Sequence, residues 1–201
     1  MFPPYKTKQF EIGAKLKTGA IVNTLSVFQI KKPSTTIDYT TSPLPTLLLN
    51  GEQRNRGIEW TIFGEVSPSV RLLGGVTYTQ PKLTRTQDGA QDGNHAAGAA
   101  PWTANLGTEW DLSEIPGLTL SGRVLYTSSQ YANNANTFKL PSWTRLDIGA
   151  RYATSIAGKA TIFRAGINNV FDKNYWLSTR SYGAFSLAAP RTFQLSATVD
   201  F

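Results

Sequence analysis

The chain has 201 residues, of which 40% are hydrophobic and 11% aromatic, so it contains enough apolar material to fold and is not a disordered protein. It contains no cysteine, which excludes disulfide bonds, thiolate metal sites and a cysteine nucleophile. Its formal charge of +7 comes from scattered basic residues without a long basic run, which argues against nucleic-acid binding.

No stretch approaches the roughly twenty consecutive apolar residues of a membrane helix, because charges, glycine or proline interrupt every candidate. The first ten residues contain early prolines and lysines and lack the apolar core of a secretion signal. We therefore expect the chain to carry no signal peptide of its own. If the protein crosses a membrane, strands must cross it.

The N-terminal half contains segments in which apolar and polar residues alternate, which predicts strands whose two faces differ. These segments are residues 9–17, 21–30, 57–66 and 70–83. Tight turns at 18–19 and 67–69 join them into two hairpins. Residues 31–51 contain prolines and threonines and have no sustained period, and residues 84–100 are rich in glycine and alanine, so both are predicted to be long loops.

The C-terminal half continues the pattern. Its alternating segments are residues 102–112, 118–131, 140–152, 159–170 and 191–201. Short turns are predicted at 113–117 and 156–158, and outer loops at 133–137 and 172–190. The last segment alternates without a break and ends on the aromatic Phe201, which is typical of an outer-membrane strand and is also compatible with a soluble sandwich.

These segments make about ten strands with the length of a tilted membrane crossing, and short turns alternate with long loops along the chain. The predicted fold is all-β: an antiparallel transmembrane β-barrel segment of about ten strands, with short periplasmic turns and long extracellular loops. Aromatic residues near the strand ends, among them Trp102, Trp110, Trp143 and Tyr175, suit interface girdles. Arginines that occur singly within strands are predicted to line the lumen and to pair with scattered carboxylates. The arginines are Arg71, Arg123, Arg145, Arg151 and Arg164, and the carboxylates Glu59, Glu65, Glu109 and Asp147.

Four pieces of the sequence resemble, in order and spacing, the C-terminal barrel of TonB-dependent siderophore receptors. They are residues 5–15 (YKTKQFEIGAK), 56–60 (RGIEW), 166–176 (GINNVFDKNYW) and 189–193 (APRTF), the last followed by the terminal Phe201. The run NNVFDKNYW followed by a PRTF strand that ends the chain is the most specific of these features. The resemblance extends over nearly the whole chain.

The resemblance implies an importer in the outer membrane of a Gram-negative bacterium, which binds a ferric siderophore and uses energy relayed by the TonB complex through a plug domain. Lipid and the barrel-assembly machinery are further implied partners, and iron is cargo while no cofactor is implied. Such receptors have about 22 strands and a plugged lumen. Residues 1–201 are therefore expected to be the C-terminal part of the barrel domain without the plug, and to be unable to transport alone.

The candidate ligand contacts are Trp176, Arg180, Tyr182 and Tyr131. Aromatic and arginine side chains suit a flat, anionic chelate, whereas the alternative is that they are membrane anchors and solvated charges. The resemblance assigns a structural role at the junction of strand and loop to a larger motif set, and a barrel-assembly signal to Phe201. The motif set is Asn168, Asn169, Val170, Phe171, Asp172, Tyr175, Pro190 and Arg191.

His95 is the single histidine and lies in a glycine- and alanine-rich loop, so it is expected to be exposed and not to bind haem or a metal ion. No catalytic motif occurs, and the chain is not expected to be an enzyme. Two other readings remain open at this point. One is a complete small outer-membrane barrel that acts as a pore, and the other is a soluble β-sandwich that binds carbohydrate.

Overall fold

The computed structural model describes residues 4–40, 44–179 and 185–200, which form strands, connecting loops and one short 3₁₀ turn, Gln87–Gly89. Nine strands form the main sheet. They are β1 (Lys8–Thr18), β2 (Ile21–Asp38), β3 (Thr46–Ser67), β4 (Val70–Arg85), β5 (Trp102–Asp111), β6 (Leu118–Thr127), β9 (Trp143–Ile156), β10 (Lys159–Asn168) and β13 (Thr192–Val199). Among these residues, no helix is long and apolar enough to cross a membrane.

Two small hairpins lie in the connections between strands of the main sheet. One pairs β7 (Gln130–Tyr131) with β8 (Lys139–Leu140), and the other pairs β11 (Trp176–Thr179) with β12 (Phe185–Leu187). The main sheet therefore has nine strands, where the sequence predicted about ten.

The main sheet is antiparallel throughout, and its strands follow one another in chain order: β1-β2-β3-β4-β5-β6-β9-β10-β13. The strands β1 and β13 form its two edges and are not paired with each other. The described residues therefore form an open sheet, which contradicts the alternative of a complete small barrel. The short turns between strands share one end of the sheet, here the turn end, and the long connections share the other, the loop end.

The two faces of the sheet differ in character, as the alternation of residues predicted. One face, here the apolar face, carries large exposed hydrophobic side chains from β1 at one edge to β13 at the other. Examples are Ile12, Leu25, Trp60, Leu106, Val124, Ile148 and Leu195. No second sheet covers this face in the part of the chain that the structure describes, which contradicts the soluble sandwich. An exposed apolar surface of this extent is typical of a membrane or protein interface.

The opposite face, here the polar face, carries most of the charged residues of the strands. By the strand register, the charged residues on this face include Glu11, Lys15, Lys17, Glu59, Glu65, Arg71, Glu109, Asp111, Arg123, Arg145, Asp147, Arg151 and Arg164. Two of the predicted carboxylates form ion pairs with predicted arginines: Glu109 with Arg71 at 3.1 Å, and Asp147 with both Arg123 and Arg145 at 2.9 and 2.8 Å.

The prediction of a loop over residues 31–51 is wrong for most of its length, because β2 extends to Asp38 and β3 begins at Thr46. The proline in this stretch, Pro33, lies opposite Glu52 of β3. The pairing of β2 with β1 ends at Lys31, so Pro33 has no neighbour on that side and its missing N–H removes no ladder bond. Proline there is compatible with a strand at a free edge.

Other boundaries also differ from the predicted ones. The strand β6 ends at Thr127, and residues predicted as its continuation belong to the hairpin β7–β8. The strand β9 begins at Trp143 and runs to Ile156, and β10 ends at Asn168. The predicted loop 172–190 contains the hairpin β11–β12.

The buried apolar core is small, as expected for a single sheet. Trp143, Tyr175 and Ala188 form its buried cluster, with Leu125 packed against it. The rings of Trp143 and Tyr175 are stacked, with centroids 4.3 Å apart and planes 25° apart. These two aromatics are buried, so they are not the membrane anchors that their positions near strand ends suggested. The cluster attaches the last long connection to the loop end of the sheet.

Candidate functional site

Two long connections at the loop end are joined to each other by asparagine side chains. The backbone N–H of His95 donates to Asn136 Oδ1 at 2.8 Å, and Asn136 Nδ2 donates back to the carbonyl oxygen of His95 at 2.8 Å. The N–H of Ala97 donates to Asn134 Oδ1 at 2.9 Å. Because these bonds link residues about forty positions apart, the β4–β5 and β6–β9 connections form one structural unit.

The predicted ligand contact Tyr131 lies within this unit. The ring of His95 makes an edge-to-face contact with the Tyr131 ring, with centroids 5.8 Å apart. On the paired strand β8, Lys139 Nζ lies 4.7 Å from the centroid of the same ring. His95 is half-buried, which corrects the expectation that it is simply exposed. A histidine, a tyrosine and a lysine thus share one surface.

A second aromatic group includes the predicted contact Trp176. The ring of Trp176 lies 5.6 Å from Phe185, its neighbour in the hairpin β11–β12, and Phe185 lies 6.1 Å from Phe138 of the β6–β9 connection. All three rings are exposed. The cluster of Trp176, Phe185 and Phe138, here the aromatic patch, therefore joins the last connection to the unit that holds Tyr131.

Arg180 and Tyr182, predicted to contact the ligand, and Phe201, predicted as the assembly signal, lie outside the described residues. Of the four predicted ligand contacts, the structure describes Tyr131 and Trp176 and puts both at the loop end of the sheet.

The motif residue Asn169 is the centre of a hydrogen-bond network where β10 leads into the last connection. It is 2% exposed and has a left-handed backbone conformation, with φ of 56°. Its Oδ1 accepts the N–H of Lys173 at 2.9 Å, and its Nδ2 donates to the carbonyl oxygens of Lys173 and Ala189 at 3.0 and 3.2 Å. One side chain thus joins the beginning and the end of the connection.

Other motif residues extend this junction. Asp172, also left-handed with φ of 51°, accepts the backbone N–H of Arg191 at 2.8 Å, and the Arg191 guanidinium lies 3.9 Å from the same carboxylate. Val170 donates its N–H to the carbonyl oxygen of Leu146 at 2.9 Å. The remaining motif residues surround these contacts: Asn168 ends β10, Phe171 is exposed, Tyr175 is buried and Pro190 precedes Arg191. The structural role assigned to these residues stays a prediction.

Asp147 connects the polar face to this junction. Its side chain is 8% exposed; Oδ2 accepts Arg123 and Arg145, and Oδ1 accepts the backbone N–H of Asn169 at 2.9 Å. Arg145 also reaches the Tyr175 hydroxyl at 3.4 Å, while its Nε is buried without a partner among the described residues. A carboxylate on the sheet therefore anchors the first residue of the loop that follows.

The electrostatics of the loop end favour a neutral histidine. Burial lowers the pKa of His95, and the ammonium groups of Lys82 and Lys139 lower it further. Lys82 Nζ donates to the carbonyl oxygen of Gly93 in the same connection. In the described ranges, no group of three or more potential metal ligands occurs. The surface thus presents cations and aromatic rings.

Acidification is expected to destabilise the unit that holds His95. Because the pKa of His95 is lower in the folded chain than in the unfolded chain, the unfolded state binds more protons below about pH 6.5. The stabilisation from neutral His95 is present above that pH and is lost as the pH falls through the folded pKa. Thermal unfolding of the refolded chain from pH 8 to pH 5 should show a steeper loss of stability than that of His95→Gln. Identical pH profiles would contradict this assignment.

Sequence reasoning missed Phe138, Phe185, Lys139 and the role of His95. The only local feature near Phe138 and Lys139 is the short hairpin at residues 130–140. Its strands have two residues each, which is too short to show the alternation that predicts a strand. Asn134 and Asn136 lie in the predicted outer loop 133–137, and the sequence does not indicate that their side chains join two connections.

Comparisons with known proteins place the whole chain within one group. The family described as TonB dependent receptor-like, β-barrel, matches residues 1–170. The ferrichrome receptor FcuA of Yersinia enterocolitica is 41% identical over 196 residues, which are 97% of this chain and 26% of that receptor. The ferrichrome outer membrane transporter/phage receptor of Escherichia coli is 33% identical over 209 residues, which are 100% of this chain and 27% of the transporter.

Among solved structures, the ferric preacinetobactin receptor BauA of Acinetobacter baumannii is similar with a TM-score of 0.88 and 46% identity. That likeness covers 100% of this chain and 30% of the receptor. The chain thus spans about a quarter of the length of the two curated relatives and somewhat more of the solved structure.

Proposed function

The chain belongs to the TonB dependent receptor-like β-barrel family, and we propose on this premise that it is part of an importer that takes up a ferric siderophore. The observation that carries the proposal is its likeness, over its full length, to the ferric preacinetobactin receptor at 46% identity. The two curated relatives, whose names state that they recognise ferrichrome, support the same class of ligand.

The sheet is a partial outer-membrane barrel, and its apolar face fits this location. Trp102 and Trp110 lie on that face at opposite ends of β5, near the loops and near the turns respectively. The eight residue steps from Trp102 to Trp110 span about 26 Å along an extended strand, before strand tilt is taken into account. The apolar band of outer-membrane barrels is about 25 Å high and has aromatic residues at both borders. Lipid is accordingly the proposed partner of the apolar face.

The loop end is the proposed place of ligand contact. The aromatic patch and the surface of Tyr131 and Lys139 combine exposed rings with positive charge, which suits a flat chelate that carries negative charge. Arg180 and Tyr182, in the same connection as Trp176, belong to this proposal by sequence. The curated relatives are named as a receptor and a transporter, which supports transport as the activity, and we propose no enzymatic activity and no cofactor for the chain.

The remaining assignments follow the family. Residues 1–201 are proposed to be the C-terminal part of the barrel domain, and a plug domain outside them is the proposed contact with the TonB complex. Phe201 is the proposed residue for recognition by the barrel-assembly machinery.

Transport can be tested by grafting this chain into the ferric preacinetobactin receptor, in place of the 30% of that receptor that it covers. A receptor-null strain that carries the graft is expected to accumulate ⁵⁵Fe from ferric preacinetobactin or ferrichrome, and to lose this uptake when TonB is deleted. A graft that reaches the outer membrane in normal amount but supports uptake of neither chelate would count against the proposal.

Trp176→Ala in the same graft is expected to weaken binding of the transported chelate by about fivefold with little effect on folding, because an exposed ring–ligand contact contributes about 1 kcal/mol. Chelate binding to cells and heat-modifiability of the barrel on gels measure the two effects. The matched control is Phe171→Ala, which removes another exposed aromatic of the same connection that lies outside the aromatic patch. Equal loss of binding and folding in Trp176→Ala would remove Trp176 from the ligand contacts.

A further inference from the structure

The loop end of the sheet carries a row of cations, one on each of the first four strands. Lys8 on β1 lies opposite Lys31 on β2, which in turn lies opposite Arg54 on β3. Arg54 lies opposite Lys82 on β4. These residues, here the cation row, are far apart in the sequence and are aligned only by the strand register. Because neighbouring strands are about 4.8 Å apart, the row is about 14 Å long.

The cation row lies on the same side of the sheet as the apolar face. Side chains alternate along a strand, and no irregularity interrupts the pairing of β3 between Arg54 and Ile58, so these two side chains project from the same side. Ile58 lies opposite Tyr78, which lies opposite Trp102, the aromatic residue at the loop-end border of the apolar face. The cation row therefore lies just beyond this border, on the side that faces lipid.

The height of the cation row matches the headgroup region of a bilayer. The step from Ile58 to Arg54 is about 13 Å along an extended strand. A strand tilt of about 45° reduces this to about 9 Å along the membrane normal, and headgroups occupy about 5–8 Å on each side of the hydrocarbon core. Because lysine and arginine have long side chains that can lie along a surface, their charged groups can reach this level.

The charges of the cation row are only partly compensated within the described residues. Like charges at opposed positions destabilise a sheet. Lys31 forms an ion pair with Glu52 at 3.8 Å, and Lys82 Nζ donates to a neutral backbone carbonyl group. Lys8 and Arg54 form no ion pair with a carboxylate of the residues that the structure describes. The row therefore has room for a further anionic partner.

The side chains between the cation row and the apolar face change from charged to apolar in the order of a lipid molecule. Arg56 comes next to the row; it is exposed, and its Nε donates to Gln29 Oε1 at 2.6 Å. Beyond it, towards the turn end, lie the exposed hydrophobic side chains of Ile12, Val27 and Ile58. The cations thus correspond in position to a headgroup, and the apolar side chains to its acyl chains.

We propose that the cation row binds the phosphate of a lipid headgroup in the membrane leaflet at the loop end. Phosphate accepts several charge-assisted hydrogen bonds, which lysine and arginine donate. The acyl chains of the same lipid cover the adjacent apolar side chains, a contact that a free anion does not make, and this favours a lipid over free phosphate. The inference rests on the outer-membrane location of the sheet and is independent of siderophore uptake.

The test uses the full chain refolded in neutral detergent micelles that contain brominated phosphatidic acid or brominated phosphatidylcholine. Bromine on the acyl chains quenches tryptophan fluorescence, and Trp60 and Trp102 are exposed on the apolar face. The apparent Kd for phosphatidic acid is expected to be at least about tenfold lower than that for phosphatidylcholine, since each basic residue near an anionic lipid contributes about fivefold in affinity. Arg54→Gln should reduce this preference about fivefold, and the double variant Lys8→Gln/Arg54→Gln should remove it.

The matched control is Arg164→Gln, which removes an exposed positive charge from the polar face and should leave the preference unchanged. If Arg54→Gln does not refold, Lys8→Gln on the exposed edge strand β1 gives the same test. Equal apparent Kd values for the two lipids, an unchanged preference in both row variants, or an equal loss in Arg164→Gln would overturn the proposal. Displacement of phosphatidic acid by an equal concentration of inorganic phosphate would also overturn it, because free phosphate would then be the ligand. The measurement involves no siderophore, so its failure is distinct from a failure of uptake by the graft.

Discussion

Replacing Asp147 with asparagine is expected to lower the free energy of unfolding of the refolded chain by about 3 kcal/mol, because removal of one partner leaves a largely buried arginine uncompensated. The carboxylate is 8% exposed and is shared by Arg123 and Arg145. It also accepts the N–H of Asn169, so its loss affects the sheet and the following loop together. Urea titration followed by tryptophan fluorescence measures the change.

The control for Asp147→Asn is Glu109→Gln. Glu109 also forms an ion pair on the polar face, but its side chain is 52% exposed and its partner Arg71 keeps Asp111. An exposed pair contributes about 0–1 kcal/mol, so this variant should be close to the unchanged chain. If both variants lower the free energy of unfolding by the same small amount, the burial of Asp147 does not determine its contribution to stability.

Asn169→Ala is the second change with a large expected effect, also about 3 kcal/mol. It removes three side-chain hydrogen bonds, each with a net contribution of about 1 kcal/mol, and it places alanine in a left-handed conformation that asparagine tolerates better. Because the lost bonds join the two ends of the last connection, trypsin should cleave after Lys173 faster in this variant. Unfolding by urea and the rate of that cleavage are the two measurements.

Asn168→Ala serves as the comparison for Asn169→Ala, since the Asn168 side chain makes no hydrogen bond to the residues that the structure describes. Combining Asp147→Asn with Asn169→Ala adds a further check. The two residues share the bond from the Asn169 N–H to Asp147, so the double variant should lose less than the sum of the single losses. Strict additivity would mean that the polar face and the loop junction are stabilised independently.

The sequence predicted the strands of the sheet well because an alternation of period two depends only on neighbouring residues. The clearest case is the last strand, where Phe193, Leu195 and Ala197 lie opposite Ile167, Ala165 and Phe163 on the apolar face. The same alternation correctly separated the polar-face arginines from the side chains of the apolar face, although it could not show which arginines have a carboxylate partner.

The failures arose where structure depends on residues far apart in the chain. Pro33 indicated a loop, because proline has no N–H to donate to a neighbouring strand. The pairing of β1 with β2 ends at Lys31, however, so Pro33 has no neighbour on that side to which an N–H would donate. Trp143 and Tyr175 were expected at the membrane border, yet they stack on each other across 32 positions. The asparagine bonds between two connections and the aromatic patch have the same origin, since each joins segments that only the assembled sheet brings together.

The edges of the sheet restrict what can complete the barrel. Nine is an odd number, and since each strand runs opposite to its neighbour, β1 and β13 point in the same direction. Joining these edges directly, within one chain or between copies inserted with the same orientation, would create a parallel seam. Bacterial single-chain barrels have an even strand count and antiparallel neighbours. A closed antiparallel wall that contains this sheet therefore requires an odd number of additional crossings, with outer strands that run opposite to β1 and β13. Identically oriented copies of these nine strands do not meet this requirement, because they join in parallel seams whatever their number.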